Sequence, residues 1–166
     1  MSFFTLISPL VRQKQHMVIT NSIANSILIV EDNEDDFYIT ERTFSKAGLM
    51  NSLVRAKSGD EALDFLFCRE AYENNTAADL PGIILLDLKL PGVSGREVLS
   101  EIKAAPRLKK IPVVVLTGSE DPEDIDKCYQ AGANGYISKP VNVENFIQAI
   151  VRLQDYWFQV NVLPKR

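Results

Sequence analysis

Positive charge is scarce in this chain. The 18 Lys and Arg are outnumbered by 22 Asp and Glu, the formal net charge is −4, and the basic residues form no stripe. That excludes the electrostatic footprint of a nucleic-acid binder and leaves proteins as the expected partners. Cysteine is equally sparse: Cys68 and Cys128 have no metal-ligand spacing and fall in segments expected to be helical, which suits ordinary thiols in a reducing compartment. A long hydrophobic run is missing too. The apolar patch Phe3 to Val11 is too short to cross a bilayer, and it has neither a preceding positive charge nor a small-residue cleavage site. No membrane association and no secretion are expected, and the location is expected to be cytoplasmic. No Gly-x-Gly-x-x-Gly follows a strand, so a dinucleotide site is excluded. There are no internal repeats, and 166 residues accommodate one core.

What is present is a set of branched apolar runs that stop at polar side chains. Ile27 to Val30 ends at Glu31-Asp32, Ile83 to Leu86 ends at Asp87, Val113 to Leu116 ends at Thr117, and Gly135 to Ser138 ends at Lys139-Pro140. Runs of this kind read as strands of a parallel sheet buried on both faces. Helical patterns alternate with them. Asp35 to Ala47 carries Phe37 and Phe44 and stops near Gly48, and Ser58 caps a segment with Ala62, Leu63, Phe65 and Leu66. Ser94 opens a helix carrying Val98, Leu99 and Ile102. Ser119 begins another, with Pro122 in its first turn and Ile125, Cys128 and Tyr129 facing inward. Val143, Phe146, Ile147, Ile150 and Val151 follow a helical spacing. Leu53 to Lys57 supplies a remaining strand, and Arg69 to Gly82 reads as a long polar loop. The expected fold is α/β: a doubly wound, five-stranded parallel sheet with flavodoxin-like order 2-1-3-4-5 and helices on both faces. Ligands of such sheets bind beyond the carboxyl ends of the strands, where Glu31, Asp32, Asp87, Thr117 and Lys139 would meet.

Two carboxylates about 4 Å apart repel by roughly 4 kcal/mol at an effective dielectric near 20. Glu31, Asp32 and Asp87 held together must gain protons or recruit a cation, and all-oxygen ligands select a hard ion such as Mg2+. Read alone, Glu31-Asp32 could instead complement the dipole of the following helix, a role open also to Asn33, Glu34 or Asp35. Asp87 is an unusual carboxylate to place after four large apolar residues. Beside a metal it becomes a plausible nucleophile for phosphoryl transfer, with Lys139 neutralising charge and the Thr117 hydroxyl donating to a phosphoryl oxygen.

Taken together, Glu31-Asp32, Asp87, Thr117 and Lys139-Pro140, in this order and at the ends of the first, third, fourth and fifth strands, resemble the signature of response-regulator receiver domains of two-component signalling. The resemblance covers about residues 26 to 155. It implies that Asp87 is the phosphoacceptor from a histidine kinase, that Asp32, Asp87 and the backbone carbonyl of Lys89 ligate Mg2+ with Glu31 acting mainly through water, and that Thr117 and Lys139 hold the phosphoryl group. It implies a cis Lys139-Pro140 bond. It also makes Tyr136 the switch aromatic that fills space vacated by Thr117; the alternative is a rim tyrosine with its hydroxyl in water. Lys89 and Ser119 occupy positions that tune phosphoryl lifetime in the family.

Residues 1–25 form an N-terminal extension with no assigned function, 26–155 the receiver domain, and 156–166 an aromatic tail. The loop 69–82 and the tail with Tyr156, Trp157 and Phe158 resemble the single-domain regulators that partner phytochrome-type histidine kinases. The few residues after the last helix are too short for a DNA-binding output domain, so the signal is expected to leave by protein contact, either to a final target or as one step of a phosphorelay. The tail aromatics either fold back on the domain or join the fourth and fifth helices in a homodimer surface. Two rival functions fit the residues less well. A phosphatase of the haloacid dehalogenase kind needs a second aspartate where Lys89 stands, and a phosphate-independent interaction module needs none of the acid, hydroxyl and lysine set. The protein is therefore expected to be a phosphoacceptor rather than an enzyme, with at most Mg2+-dependent self-phosphorylation and autodephosphorylation.

Overall fold

Five short strands carry the architecture: β1 (Ile27–Val30), β2 (Leu53–Ala56), β3 (Ile83–Leu86), β4 (Val113–Thr117) and β5 (Gly135–Ser138). They come from a computed structural model, which describes residues 26–48, 51–139, 143–160 and 162. All pairings are parallel and the order is β2-β1-β3-β4-β5, as the alternation of elements implies. The central strands β1, β3 and β4 are buried along their whole length, while edge strands β2 and β5 are mostly half-buried. That difference explains why the central three are unbroken apolar runs and why β2 tolerates Arg55.

Among the described residues five α-helices cover the sheet: α1 (Glu34–Lys46), α2 (Gly59–Phe67), α3 (Gly95–Ala104), α4 (Pro122–Gln130) and α5 (Val143–Gln154). Successive strand residues point to opposite faces, so the sheet feeds two separate cores. Ile27, Ile29, Ile83, Leu85, Val114 and Leu116 pack with Phe44 of α1 and with Phe146, Ile150 and Leu153 of α5. Leu28, Val30, Ile84, Leu86, Val113 and Val115 pack with apolar residues of α2 and α3 and with Cys128 of α4. Each fully buried Leu, Ile or Val contributes about 1.5–3 kcal/mol of transfer free energy.

Local chemistry sets the helix ends. Asn33 caps α1, its side chain accepting from the amides of Asp35 and Asp36, and Ser58 caps α2 through the Glu61 amide. Ser94 and Glu97 form a reciprocal capping box at α3. At α4 the expectation needs correction. The cap is Asp121, not Ser119, because Pro122 takes the first helical position and the residue just before it must satisfy the Glu123 amide. Tyr129, expected inward, is 50% exposed. This short helix buries only Cys128, with Ile125 half-buried on the same stripe.

The segment 69–82 is not bare loop. It holds two single 3-10 turns, Glu70–Tyr72 and Ala77–Asp79. Tyr72 fastens it to α2, its ring edge-on to Phe65 and its hydroxyl donating to Glu61 at 2.9 Å, while Leu80 is buried. Past α5 the chain continues as a π-helical stretch, Asp155–Val160. Trp157 packs against the α1/α5-side core and stacks edge-on with Tyr156, whereas Tyr156 and Val160 are 54% and 72% exposed. Among the described residues no helix is long and apolar enough to cross a membrane.

Candidate functional site

Strand register builds the site. Val30 lies opposite Leu86, and the Asp87 amide continues the ladder by bonding the Val30 carbonyl at 3.1 Å. Glu31 and Asp87 therefore leave adjacent strand ends side by side. Across β4, the Lys139 amide bonds the Thr117 carbonyl at 2.7 Å, bringing the lysine to the same rim.

Lys139 is the hub. Its Nζ donates to Glu31 Oε2 at 2.5 Å, to Asp36 Oδ2 at 2.8 Å and to Asp87 Oδ2 at 2.9 Å. The other Asp87 oxygen accepts the Lys89 amide at 3.2 Å, so a turn residue orients the carboxylate from below while the lysine holds it from the side. Glu31 is buried, 3% exposed, and also accepts the Asn33 amide. Asp32, by contrast, is exposed. Burial raises the Glu31 pKa above the ordinary carboxylate value, and the neighbouring Asp87 charge adds to this against the opposing pull of Lys139. Burial alone would lower the Lys139 pKa, but the hydrogen bonds to Asp36, Glu31 and Asp87 outweigh it, and the ammonium is held above the usual lysine value.

One ammonium does not balance this pocket. Three carboxylates, Glu31, Asp36 and Asp87, pair with it, and ligand oxygens of Glu31, Asp87 and a further acid, Asp32, all lie within 4.8 Å of one another. An all-oxygen, net-negative set of this size fits a hard divalent cation. Thr117 supplies a second signal. It is 0% exposed, and its hydroxyl has no hydrogen-bond partner among the described residues, an arrangement costing about 1–3 kcal/mol that a folded protein seldom retains without a ligand to satisfy it.

The remaining expected residues fall around this centre. Tyr136 is half-buried against the α2/α3-side core, and its hydroxyl donates to the Ser119 carbonyl at 2.8 Å. Ser119 in turn donates to Asp124 at 2.8 Å, and Asp124 pairs with Arg96. Pro140 lies outside the described residues, and so does the expected cis bond before it. Cys68 and Cys128 are free thiols. Sequence reasoning missed Asp36, whose only local signal is its place in the first turn of the helix following the acidic pair.

Comparison with known proteins identifies the family. Residues 27–151 match the family model of the response regulator receiver domain. The chain is 38% identical over 138 residues to the probable methanogenesis regulatory protein FilR2 of Methanothrix harundinacea, covering 83% of this chain and 86% of that protein. It is 36% identical over 138 residues to response regulator Rcp1 of Synechocystis, covering 83% of this chain and 92% of the relative. The crystal structure of the Mn(2+)-bound form of Rcp1 superposes with a TM-score of 0.78 at 35% identity, over 85% of this chain and 99% of the other. The phosphorylated cyanobacterial phytochrome response regulator RcpA gives a TM-score of 0.78 at 36% identity, with coverage of 85% and 99%.

Proposed function

The chain belongs to the response regulator receiver domain family, and from that premise we propose that Asp87 accepts a phosphoryl group from the phosphohistidine of a histidine kinase. The observation that carries the reading is Asp87 itself: a nearly buried carboxylate with one oxygen on Lys139, beside a strand end whose buried Thr117 hydroxyl lacks a partner among the described residues.

In the transfer an Asp87 carboxylate oxygen attacks phosphorus as the bond to the donor's imidazole nitrogen breaks, leaving an acyl phosphate on Asp87. Lys139 neutralises charge on the transferring group, and Thr117 donates its hydroxyl to a phosphoryl oxygen. Glu31, Asp32, Asp87 and the Lys89 carbonyl would hold Mg2+, which when bound supplies further neutralisation of the phosphoryl oxygens. The protein is a phosphoacceptor, with at most Mg2+-dependent self-phosphorylation and autodephosphorylation of its own.

Movement of Thr117 toward the phosphate draws the β4–α4 loop with it. That removes the Ser119 carbonyl from the Tyr136 hydroxyl, and the ring fills the vacated space. Shifting a two-state equilibrium from 1:99 to 99:1 takes about 5.5 kcal/mol of differential binding, within reach of a few charge-assisted hydrogen bonds.

A phytochrome-type histidine kinase is the proposed partner, supported by the likeness to Rcp1 and RcpA together with the 69–82 segment and the aromatic tail. A homodimer through α4, α5 and the tail is proposed from the exposed Tyr129, Tyr156, Val160 and Val162. The proposed location is the cytoplasm.

Acetyl phosphate with Mg2+ should add one phosphoryl mass to the wild-type protein and none to Asp87→Asn; equal labelling of the two would remove Asp87 from its role. Deleting residues 156–166 should give a monomer by light scattering, and an unchanged oligomeric mass would refute the dimer surface.

A further inference from the structure

Arg55 of β2 takes no part in the chemistry above, yet it is tied to the loop that carries the acidic pair. Its side chain is 11% exposed. Nε donates to the Glu31 carbonyl at 3.1 Å, Nη2 to the Asp32 carbonyl at 3.2 Å and Nη1 to the Glu34 carboxylate at 2.6 Å, and the guanidinium lies 4.4 Å from the Phe37 ring centroid. The Glu31 amide is also anchored to β2, through the Ala56 carbonyl at 3.0 Å. The edge strand thus grips the peptides of both acidic residues.

We propose that Arg55 is a positioning residue for the divalent-cation site, holding the Glu31-Asp32 backbone so that the exposed Asp32 carboxylate is preset toward Glu31 and Asp87. This rests on the cation reading given above. Asp32 is solvent-exposed, so side-chain packing does little to place its carboxylate. Its backbone does: the Asp32 carbonyl is held by Arg55, and the next residue, Asn33, is fixed as the cap of α1. A loop already set in its bound geometry loses less conformational freedom when a cation arrives.

The fork geometry matters as much as the charge. Arg presents several donors in one plane and stacks on aromatic faces, whereas Lys offers a single point charge. Two effects of Arg55 on an incoming cation have opposite signs. Its positive charge repels the ion, while its hydrogen bonds organise the ligands. Arg55→Lys separates them, keeping the charge and removing the fork.

The test is Mn2+ binding, followed by loss of the free-ion electron paramagnetic resonance signal, alongside thermal melts in chelator. Wild type should bind one site-specific ion that Asp87→Asn weakens. Arg55→Lys should bind Mn2+ about tenfold to a hundredfold more weakly. If its melt shows that it does not fold, Phe37→Leu carries the test, since it keeps the guanidinium but removes its stacking platform, and it should weaken binding severalfold. Affinity unchanged or tightened in the folded variant overturns the positioning role while leaving the cation site intact. Absence of Mn2+ binding by wild type, or indifference to Asp87→Asn, overturns the site reading and the role of Arg55 with it.

Discussion

Replacing Thr117 by valine should make the unphosphorylated protein more stable and the phosphoryl chemistry worse. Thr117 ends a fully buried strand, is 0% exposed, and its hydroxyl has no partner among the described residues. Valine has nearly the same shape and suits a central strand, so the main change is removal of a buried, unsatisfied polar group. Such a group costs about 1–3 kcal/mol on the scale of protein mutational data. At roughly 2–4 °C per kcal/mol for a chain of this size, the melting temperature should rise by roughly 2–12 °C. The measurement is thermal or urea unfolding in chelator, with an unchanged urea slope marking a true stability change. In the other direction, losing a hydrogen bond to a charged phosphoryl oxygen forfeits about 1.5–3 kcal/mol, which slows incorporation from acetyl phosphate on the order of tenfold to a hundredfold. A Thr117→Val protein no more stable than wild type would show that the hydroxyl is satisfied in the resting state, and the argument that it waits for a ligand would fail.

Three other perturbations probe the surrounding structure. Lys139→Met removes the cation from Glu31 and Asp87, whose side chains are 4% and 8% exposed, and should destabilise by roughly 3–5 kcal/mol at neutral pH in chelator. Because burial raises the folded-state pKa of Glu31 above the unfolded value of 4.5, the folded form binds the extra proton. The defect should therefore be smallest below that value and grow as pH rises through the folded pKa, as urea melts across pH will reveal. Gly95→Ala places a Cβ 2.0 Å from the Asp87 carbonyl oxygen and 2.7 Å from Leu88 Cα, so α3 must retreat from the phosphoacceptor turn. Stability should fall by about 2 kcal/mol or more and labelling of Asp87 should drop with it. Ser94→Ala breaks the α3 capping box and should cost about 1 kcal/mol in urea melts without changing labelling. The bonds from Ser94 hold the Glu97 pKa below the usual value, so this contribution is present above pH 4.5 and lost as pH falls through the folded pKa. NMR titration of the variant should find the Glu97 pKa moved up toward its ordinary value, the bond from the backbone amide of residue 94 still holding it lower.

Much of the site could be read from the chain because its residues sit at the ends of uninterrupted apolar runs. A strand buried on both faces tolerates a carboxylate only where it emerges, so Asp87 after Ile83–Leu86 and Glu31 after Ile27–Val30 mark one rim. The helices were legible for a similar reason: the spacing of Val98, Leu99 and Ile102 and the cap at Ser94 are facts of local geometry. Tyr129 misled because neighbouring positions of a short, mostly polar helix point different ways, and Cys128, in line with Ile125, rather than the larger aromatic takes the buried place.

The amino-acid sequence by itself determined the α/β alternation, the parallel sheet and the gathering of Glu31, Asp32, Asp87, Thr117 and Lys139 at one end of it, since periodicity and strand termini are local properties. Only the tertiary structure decided that Asp36 joins the lysine, that Glu31 is buried while its neighbour Asp32 is exposed, and that Arg55 holds the backbone of both. Lys139 meets its acids across 108, 103 and 52 residues of chain, and Arg55 reaches the two carbonyls across 24 and 23. No local pattern encodes a contact at that separation. It exists because parallel register sets neighbouring strand ends about 4.8 Å apart, close enough for side chains from distant segments to share a proton donor.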